Sequence, residues 1–251
     1  MNSIVIPVID FSPHSHFNIL TLLRDLEGID AEVICIFNSR DVFERLSDHK
    51  RIDKFCFNKT NAGVSRSWNL GINMAEGDVI FVMNADLHID KDCIDRLRDY
   101  CLTLDNAVIV GPQGSHLDFR NLKVVRYFQK GMFDKPIKTH DVSGFLFAIN
   151  ARSYLDNRFC FDVRFSPCFF EEWDMGLQVM SGGFSLYAVP VTGFEHHWGM
   201  SQAEDSRVIK YFGRDVTRGQ AMIENRKRFV RKWSNKIRFN DELLKEAGLI
   251  C

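Results

Sequence analysis

Several features that would settle the class of this chain at once are missing from it. Its seven cysteines, at 35, 56, 93, 101, 160, 168 and 251, form no CxxC pair and no finger-like spacing. That argues against a structural zinc and leads us to expect free thiols in a reducing compartment. No GxGxxG follows any strand-like run, which speaks against a dinucleotide oxidoreductase. No apolar run reaches the length of a bilayer span. The first strand-like run, Ile4-Val5-Ile6, begins too early for a charged leader and an apolar signal core to precede it. A soluble, cytoplasmic protein is the expectation, with attachment to a membrane face left open. The formal net charge is only −1, so no global field points to nucleic acid, and none is expected as a partner.

What is present begins with length: 251 residues suffice for one large α/β domain with a real core. The stretch Asn61 to Asp90, NAGVSRSWNLGINMAEGDVIFVMNADLHID, reads as loop, helix, strand, acid. Val64, Trp68, Ile72 and Ala75 recur near helical spacing, Gly77-Asp78 breaks the helix, and Val79 to Met83 is a short continuous apolar run. Such a strand is buried on both faces, as in a helix-covered parallel sheet that binds ligands at the carboxyl ends of its strands. Asn84-Ala85-Asp86 sits at that end. A carboxylate there can hold magnesium or manganese against nucleotide phosphates, or simply belong to the turn before the next helix. Asp90 is the better N-cap for that helix, expected over 91–100.

The spacing predicts strands at Ser3–Ile9, Ala31–Phe37 and Ile52–Phe57, with helices at Phe17–Leu26 and Asp41–Leu46 between them. This alternation is the pattern of a doubly wound, mostly parallel sheet. It brings Pro7–Asp10, Phe37–Asp41, Asn58–Ser65 and Asn84–Asp86 to one rim. A strand at 107–110 follows. Periodicity then fails from Gly111 to Asp141, which implies either a small hairpin, with 124–128 as a strand, or a mobile flap. Beyond it come a strand at 145–150, a turn over 156–165, a helix at 171–181, and strands at 184–189 and 191–195.

Two further constellations carry chemistry. Glu171, Glu172 and Asp174 open a helix directly after Phe169-Phe170. The helix dipole alone favours acids there, but a carboxylate against an apolar wall also acquires a general base's pKa. Glu195-His196-His197-Trp198 ends a strand, and since neighbours in an extended chain face opposite sides, at most one imidazole can face the site. The tail, 207–238, is rich in Arg and Lys and has only Asp215 and Glu224 as acids. It reads as helices docked by an apolar side. Its basic face, including Arg226, Lys227, Arg231 and Lys232, is also suited to an anionic lipid surface or acceptor.

Taken together, these residues resemble family 2 glycosyltransferases with the GT-A fold, in particular rhamnosyltransferase-like members. NAGVSRSWNLGINMAEGDVIFVMNAD is similar to the family's Asn-x-Gly loop, its Asn-x-Gly-Ile helix and a strand ending in an Asn-x-Asp form of DxD. VSGFLFAINARSY is similar to the segment behind the donor sugar. FDVRFSPCFFEEWDMGLQVMSGGFSLYAVPVTGFEHHWGMS resembles the acidic helix motif, then Gly-aromatic, strand, Pro, strand and a final His followed by Ser.

The resemblance implies a GT-A catalytic domain over 1–201 with a helical extension, 202–251, packed on it. It implies an inverting hexosyl- or deoxyhexosyltransferase that takes its sugar from a nucleotide-diphosphate donor. The acceptor would be a hydroxyl of a glycan or lipid-linked saccharide, with peripheral membrane contact through the basic C-terminal helices. Asp86 and His196 would hold a divalent Mn2+ or Mg2+, His196 rather than His197 because Ser201 keeps the family spacing. Glu172 aligns with the catalytic base, beside Glu171. Pro7, Val8 and Asn38 fall where the family holds base and ribose, and Asn61, Arg66, Asn84, Ala85, Asp86 and Gly144 complete the donor set. Phe37 stands where members commonly carry an Asp, and Gln178 lies where an Arg is usual. The competing readings are a sugar-binding module of the same fold that has lost catalysis, and a nucleotidyltransferase, whose Gly-rich basic loop is lacking after the first strand.

Overall fold

The run Val79–Met83 lies at the centre of the molecule and is buried along its whole length. The computed structural model describes residues 1–11, 16–197 and 203–250. In chain order the first half contains β1 (Asn2–Val8), α1 (Ile19–Asp25), β2 (Ala31–Phe37), α2 (Arg40–Leu46), β3 (Lys54–Phe57), α3 (Val64–Met74), β4 (Val79–Met83), β5 (Leu87–Ile89), α4 (Lys91–Thr103) and β6 (Ala107–Gly111). There follow β7 (Gly114–Asp118), β8 (Lys123–Phe128), β9 (Ile137–Thr139), β10 (Asp141–Val142), β11 (Leu146–Asn150), α5 (Ala151–Asp156), α6 (Glu171–Ser181), β12 (Ser185–Ala188) and β13 (Phe194–His196). The last elements are β14 (Val208–Tyr211), β15 (Arg214–Thr217), α7 (Arg218–Trp233) and α8 (Asp241–Glu246).

Eight strands form the main sheet in the order β3-β2-β1-β4-β11-β6-β12-β9. The β3/β2, β2/β1, β1/β4 and β6/β12 pairs are parallel; β11 runs against both β4 and β6, and β9 against β12. The sheet is therefore doubly wound and mostly parallel, as expected, with two reversed strands. The ends of β1, β2, β3 and β4 share one rim. On one face Leu22 and Leu23 of α1, Val42 and Leu46 of α2, and Ile94 and Leu97 of α4 pack together. On the other, Trp68 and Ile72 of α3, Tyr154 of α5, and Met175 and Val179 of α6 do so. Each such side chain contributes about 1.5–3 kcal/mol on burial. A third layer lies outside α6, where Leu177 meets Phe229, Val230 and Trp233 of α7 and Leu243 of α8.

Several boundaries match the sequence reading, and Asp90 caps α4, its carboxylate accepting from the Cys93 N–H at 2.8 Å. Elsewhere the structure differs. The aperiodic segment 111–141 holds a β-hairpin, β7 against β8, followed by β9 at the edge of the main sheet, rather than a flap. Its strands are short and its outer strand, β8, is largely exposed, which is why neither hydrophobic period emerges. The strand expected at 191–195 is shorter and later. It leaves the main sheet to pair with β5, Glu195 opposite His88 and His196 opposite Leu87. In the tail, 208–217 forms a second hairpin where helix was expected. The expected domain boundary at 201/202, with Ser201 itself, lies outside the described residues.

Candidate active site

Phe145 ties the rim together. Its carbonyl accepts the Asn84 N–H at 2.8 Å, since β11 pairs with β4. This fixes the turn Asn84-Ala85-Asp86 beside the start of β11. Its ring stacks on the His196 imidazole, centroids 4.4 Å apart and nearly parallel at 13°. That stack leaves His196 Nε2 3.4 Å from Asp86 Oδ1. His197 points elsewhere: its ring stacks on Phe17, and its N–H donates to the Asp86 carbonyl at 3.2 Å. The alternation expected of an extended segment is thus realised, with His196 as the inward residue. Phe145 was legible in the sequence only as the start of a strand.

One residue before Phe145, Gly144 lies against Glu172. A methyl group at Gly144 would come within 2.4 Å of Glu172 Oε1 and 2.8 Å of Trp68 Cη2, so glycine is required for this approach. The Gly144 loop is braced by the hairpin: Ser143 N–H donates to the Gln113 carbonyl at 3.0 Å, and the Tyr127 hydroxyl bonds both Gln113 Oε1 (2.6 Å) and Ser143 Oγ (2.8 Å). Asp141 sits beneath, accepting from the N–H and hydroxyl of Ser115 at 2.6 and 2.7 Å. Burial raises its pKa to about 6.

Glu172 is raised further, to about 7, by loss of solvation first and by the nearby Asp141 carboxylate as well, against the lowering effect of backbone amides, the Gly144 N–H among them. Glu171 is buried, and its Oε2 has no hydrogen-bond partner among the described residues. Burial and the adjacent Glu172 push its pKa well above the usual range. Asp174, in the same helical turn, is different. Fully buried, it accepts from Trp233 Nε1 (2.9 Å), Gln178 Nε2 (2.7 Å) and Lys232 Nζ (2.7 Å).

The turn that presents these acids is strained. Phe169 and Phe170 both have positive φ, 80° and 73°, which costs bulky residues of order 1–3 kcal/mol each. Buried Asn225 of α7 holds it, donating from Nδ2 to the carbonyls of Cys168 (2.8 Å) and Phe169 (3.2 Å). Sequence reasoning missed Asn225, which appears there as one polar residue in a basic helix.

Of the residues expected to bind the donor, Asn84, Ala85, Asp86 and Gly144 lie on this rim, and Pro7 and Val8 end β1, with the Val8 carbonyl accepting the Asn38 N–H at 2.7 Å. Three others have their side chains turned to the chain itself. Asn38 donates to Ile36 O (3.3 Å) and Ser67 Oγ (2.9 Å) and accepts from Asn58 Nδ2 and Ala62 N–H, both at 3.1 Å. Its amide satisfies the polar backbone of a buried loop. Asn61 donates to the Lys210 carbonyl at 2.8 Å and accepts from Gly63 N–H at 2.9 Å. Arg66 donates to the Tyr211 hydroxyl at 2.8 Å. Both Asn61 and Arg66 are thus tied to the C-terminal hairpin.

The tail residues expected to meet lipid also have internal partners. Arg226 pairs with Glu246 at 2.6 Å, Lys227 with Glu224 at 3.3 Å, Arg231 Nε donates to the Ala247 carbonyl at 2.7 Å, and Lys232 is bound to Asp162 and Asp174. No helix among the described residues is long and apolar enough to cross a membrane.

A model of the family described as Glycosyl transferase family 2 matches residues 17–157. The "Inactive polypeptide N-acetylgalactosaminyltransferase-like protein 5" of Macaca fascicularis is 22% identical, over 96% of this chain and 56% of the relative. This chain therefore spans little more than half the length of that curated relative. A crystal structure of GalNAc-T7 with UDP, GalNAc and Mn2+ is similar at a TM-score of 0.66 and 14% identity, covering 94% of this chain and 48% of that one. The structure of S. aureus TarS 1-349 is similar at 0.59 and 12% identity, covering 98% and 70%. At these identities the likeness is one of fold.

Proposed function

The chain belongs to glycosyl transferase family 2 and has the GT-A fold, and from that premise we propose that it is an inverting sugar transferase with Glu172 as its base. The observation that carries this reading is the placement of Glu172 against Gly144. A carboxylate with its pKa raised to about 7 lies against Gly144, the residue before Phe145, which anchors Asn84 and His196. Glu172 takes the proton of an acceptor hydroxyl as that oxygen bonds to the anomeric carbon. The bond from that carbon to the nucleoside diphosphate breaks on the opposite face, so one displacement inverts the centre.

Asp86 and His196 fit a divalent ion: a carboxylate and an imidazole 3.4 Å apart suit manganese. Among the described residues no cluster of three His, Cys, Asp or Glu side chains converges, so diphosphate oxygens and water would complete the shell. When bound, such an ion neutralises charge on the departing diphosphate. Because GalNAc-T7 and TarS were crystallised with UDP, UDP-sugars are the donors to test first. The acceptor we infer is a saccharide or lipid-linked hydroxyl.

A second reading, a nucleotide-sugar-binding module without turnover, is favoured by the "inactive" relative and by Asn38 being spent internally. Release of UDP from a panel of UDP-sugars with manganese and saccharide acceptors decides between them. Turnover abolished by Glu172→Gln supports the transferase; saturable UDP-sugar binding without turnover in any combination supports the module.

A further inference from the structure

At the start of α3 a cleft of about 440 Å³ opens between Arg66, the 163–166 segment, Tyr211 and α7. Five cations line it, Arg66, Arg164, Arg228, Arg231 and Lys232, and no carboxylate does. Two of the five are neutralised from behind. Asp162 pairs with Arg164 at 2.6 Å and with Lys232 at 2.8 Å, and Asp174 holds Lys232 at 2.7 Å. Arg66, Arg228 and Arg231 form no ion pair with any described residue. Their hydrogen bonds go to neutral groups and use only part of each guanidinium. Arg66 donates through Nη1, to the Tyr211 hydroxyl among others. Arg228 donates through Nη1 to the Arg164 carbonyl (3.2 Å) and Asn225 Oδ1 (2.6 Å). Arg231 donates through Nε to the Ala247 carbonyl.

A solvated basic helix face would leave its arginines free to spread apart. Here two segments distant in sequence direct guanidinium groups into one concavity. Arg228 and Arg231, three apart on α7, share a helix face, and Arg66 approaches from α3. Each is anchored by one nitrogen and keeps a terminal nitrogen for another acceptor, so little rotamer entropy is left to lose. Forks of this kind match tetrahedral oxyanions, which accept from several donors at once.

We propose that this cleft is a second binding site, for a phosphate ester, separate from the rim that holds Asp86, Gly144, Glu172 and His196, none of which lines it. Its volume lies in the range of small-ligand sites and admits a phosphate with a sugar-sized group attached. The phosphate belongs to a second molecule or to a distant part of the acceptor, because the donor's diphosphate is bound at the rim under the reading above. The site itself does not depend on that reading.

Calorimetric titration of the full chain at low salt with EDTA tests this, using pyrophosphate, glucose 6-phosphate, and phosphatidylcholine vesicles with and without phosphatidic acid. At least one phosphate probe should bind, glucose should not, and affinity should fall as chloride rises. Arg228→Gln should weaken binding about tenfold, the loss of one charge-assisted contact; Arg228→Lys should recover part of it, and Asp86→Ala should leave it intact. Should Arg228→Gln fail to fold, Arg66→Gln gives the same reading. A signal from glucose 6-phosphate identifies a soluble ester, and one from phosphatidic acid alone a lipid headgroup; either supports the site. Absence of binding by every phosphate probe overturns it, as does binding that Arg228→Gln and Arg66→Gln leave unchanged.

Discussion

Glu172 and Asp174 stand two residues apart in the first turn of α6, and their surroundings could hardly differ more. Asp174 faces α7 and is met by an ammonium, an indole N–H and an amide. Glu172 faces the sheet, where it finds a glycine, an indole edge and another carboxylate. One acid fastens two layers together; the other is left with its charge poorly compensated and hence able to accept a proton near neutral pH. A run of acids at a helix start therefore has no single meaning, and the layer each one faces decides its role.

The comparison is broken most severely by Glu172→Gln. Under the proposed chemistry, turnover should fall about a hundredfold or more while UDP affinity by calorimetry is nearly kept. Were Glu171→Gln the inactive variant instead, the base would be the neighbouring acid. At Asp174 the effect should appear in stability. Asp174→Ala leaves Lys232 with Asp162 alone and the buried Trp233 N–H without its acceptor, and should cost about 2 kcal/mol, read as a lower urea midpoint at unchanged slope.

The pH dependence sharpens the same contrast. A base must be ionised, so kcat/KM should rise as pH increases toward about 7 and then level off. Stability moves the other way. The Glu172 pKa is about 7 in the fold against an ordinary 4.5, so between these values the native state holds a proton that the unfolded chain has released, and stability is lost as pH rises. Relative to the parent, Glu172→Gln should therefore gain melting temperature on going from pH 4 to pH 8. The smallest effects separate the paired histidines: His196→Ala should weaken manganese-dependent UDP binding about tenfold. His197→Ala, whose exposed ring lies on Phe17, should change it less than about twofold.

Much of this was legible in the sequence because burial on both faces leaves an uninterrupted apolar run, as at Val79–Met83 and 33–37. Asp86 could be placed because a strand end is a local property; residue parity allowed only one of His196 and His197 to face inward, and the family resemblance picked out His196. The supporting structure could not be read the same way. Asn38, Asn61 and Arg66 looked like ligand-binding residues, yet their partners lie at Ser67, Lys210 and Tyr211, the last two more than a hundred residues away. Nothing local announces such a contact. Phe145 has the same history, since its carbonyl and ring are committed by the pairing of β11 with β4, a reversal within an otherwise parallel run.

Asn225 carries one more consequence. By holding the left-handed turn at Phe169-Phe170 from α7, it makes the geometry of the proposed base depend on a helix some fifty residues later. Transient fraying of α7 would let that turn relax, so the two should open as one cooperative unit. Amide hydrogens in the first turn of α6 should exchange in step with those around Asn225, and a substitution that loosens the tail would be felt as misaligned chemistry before any unfolding is seen.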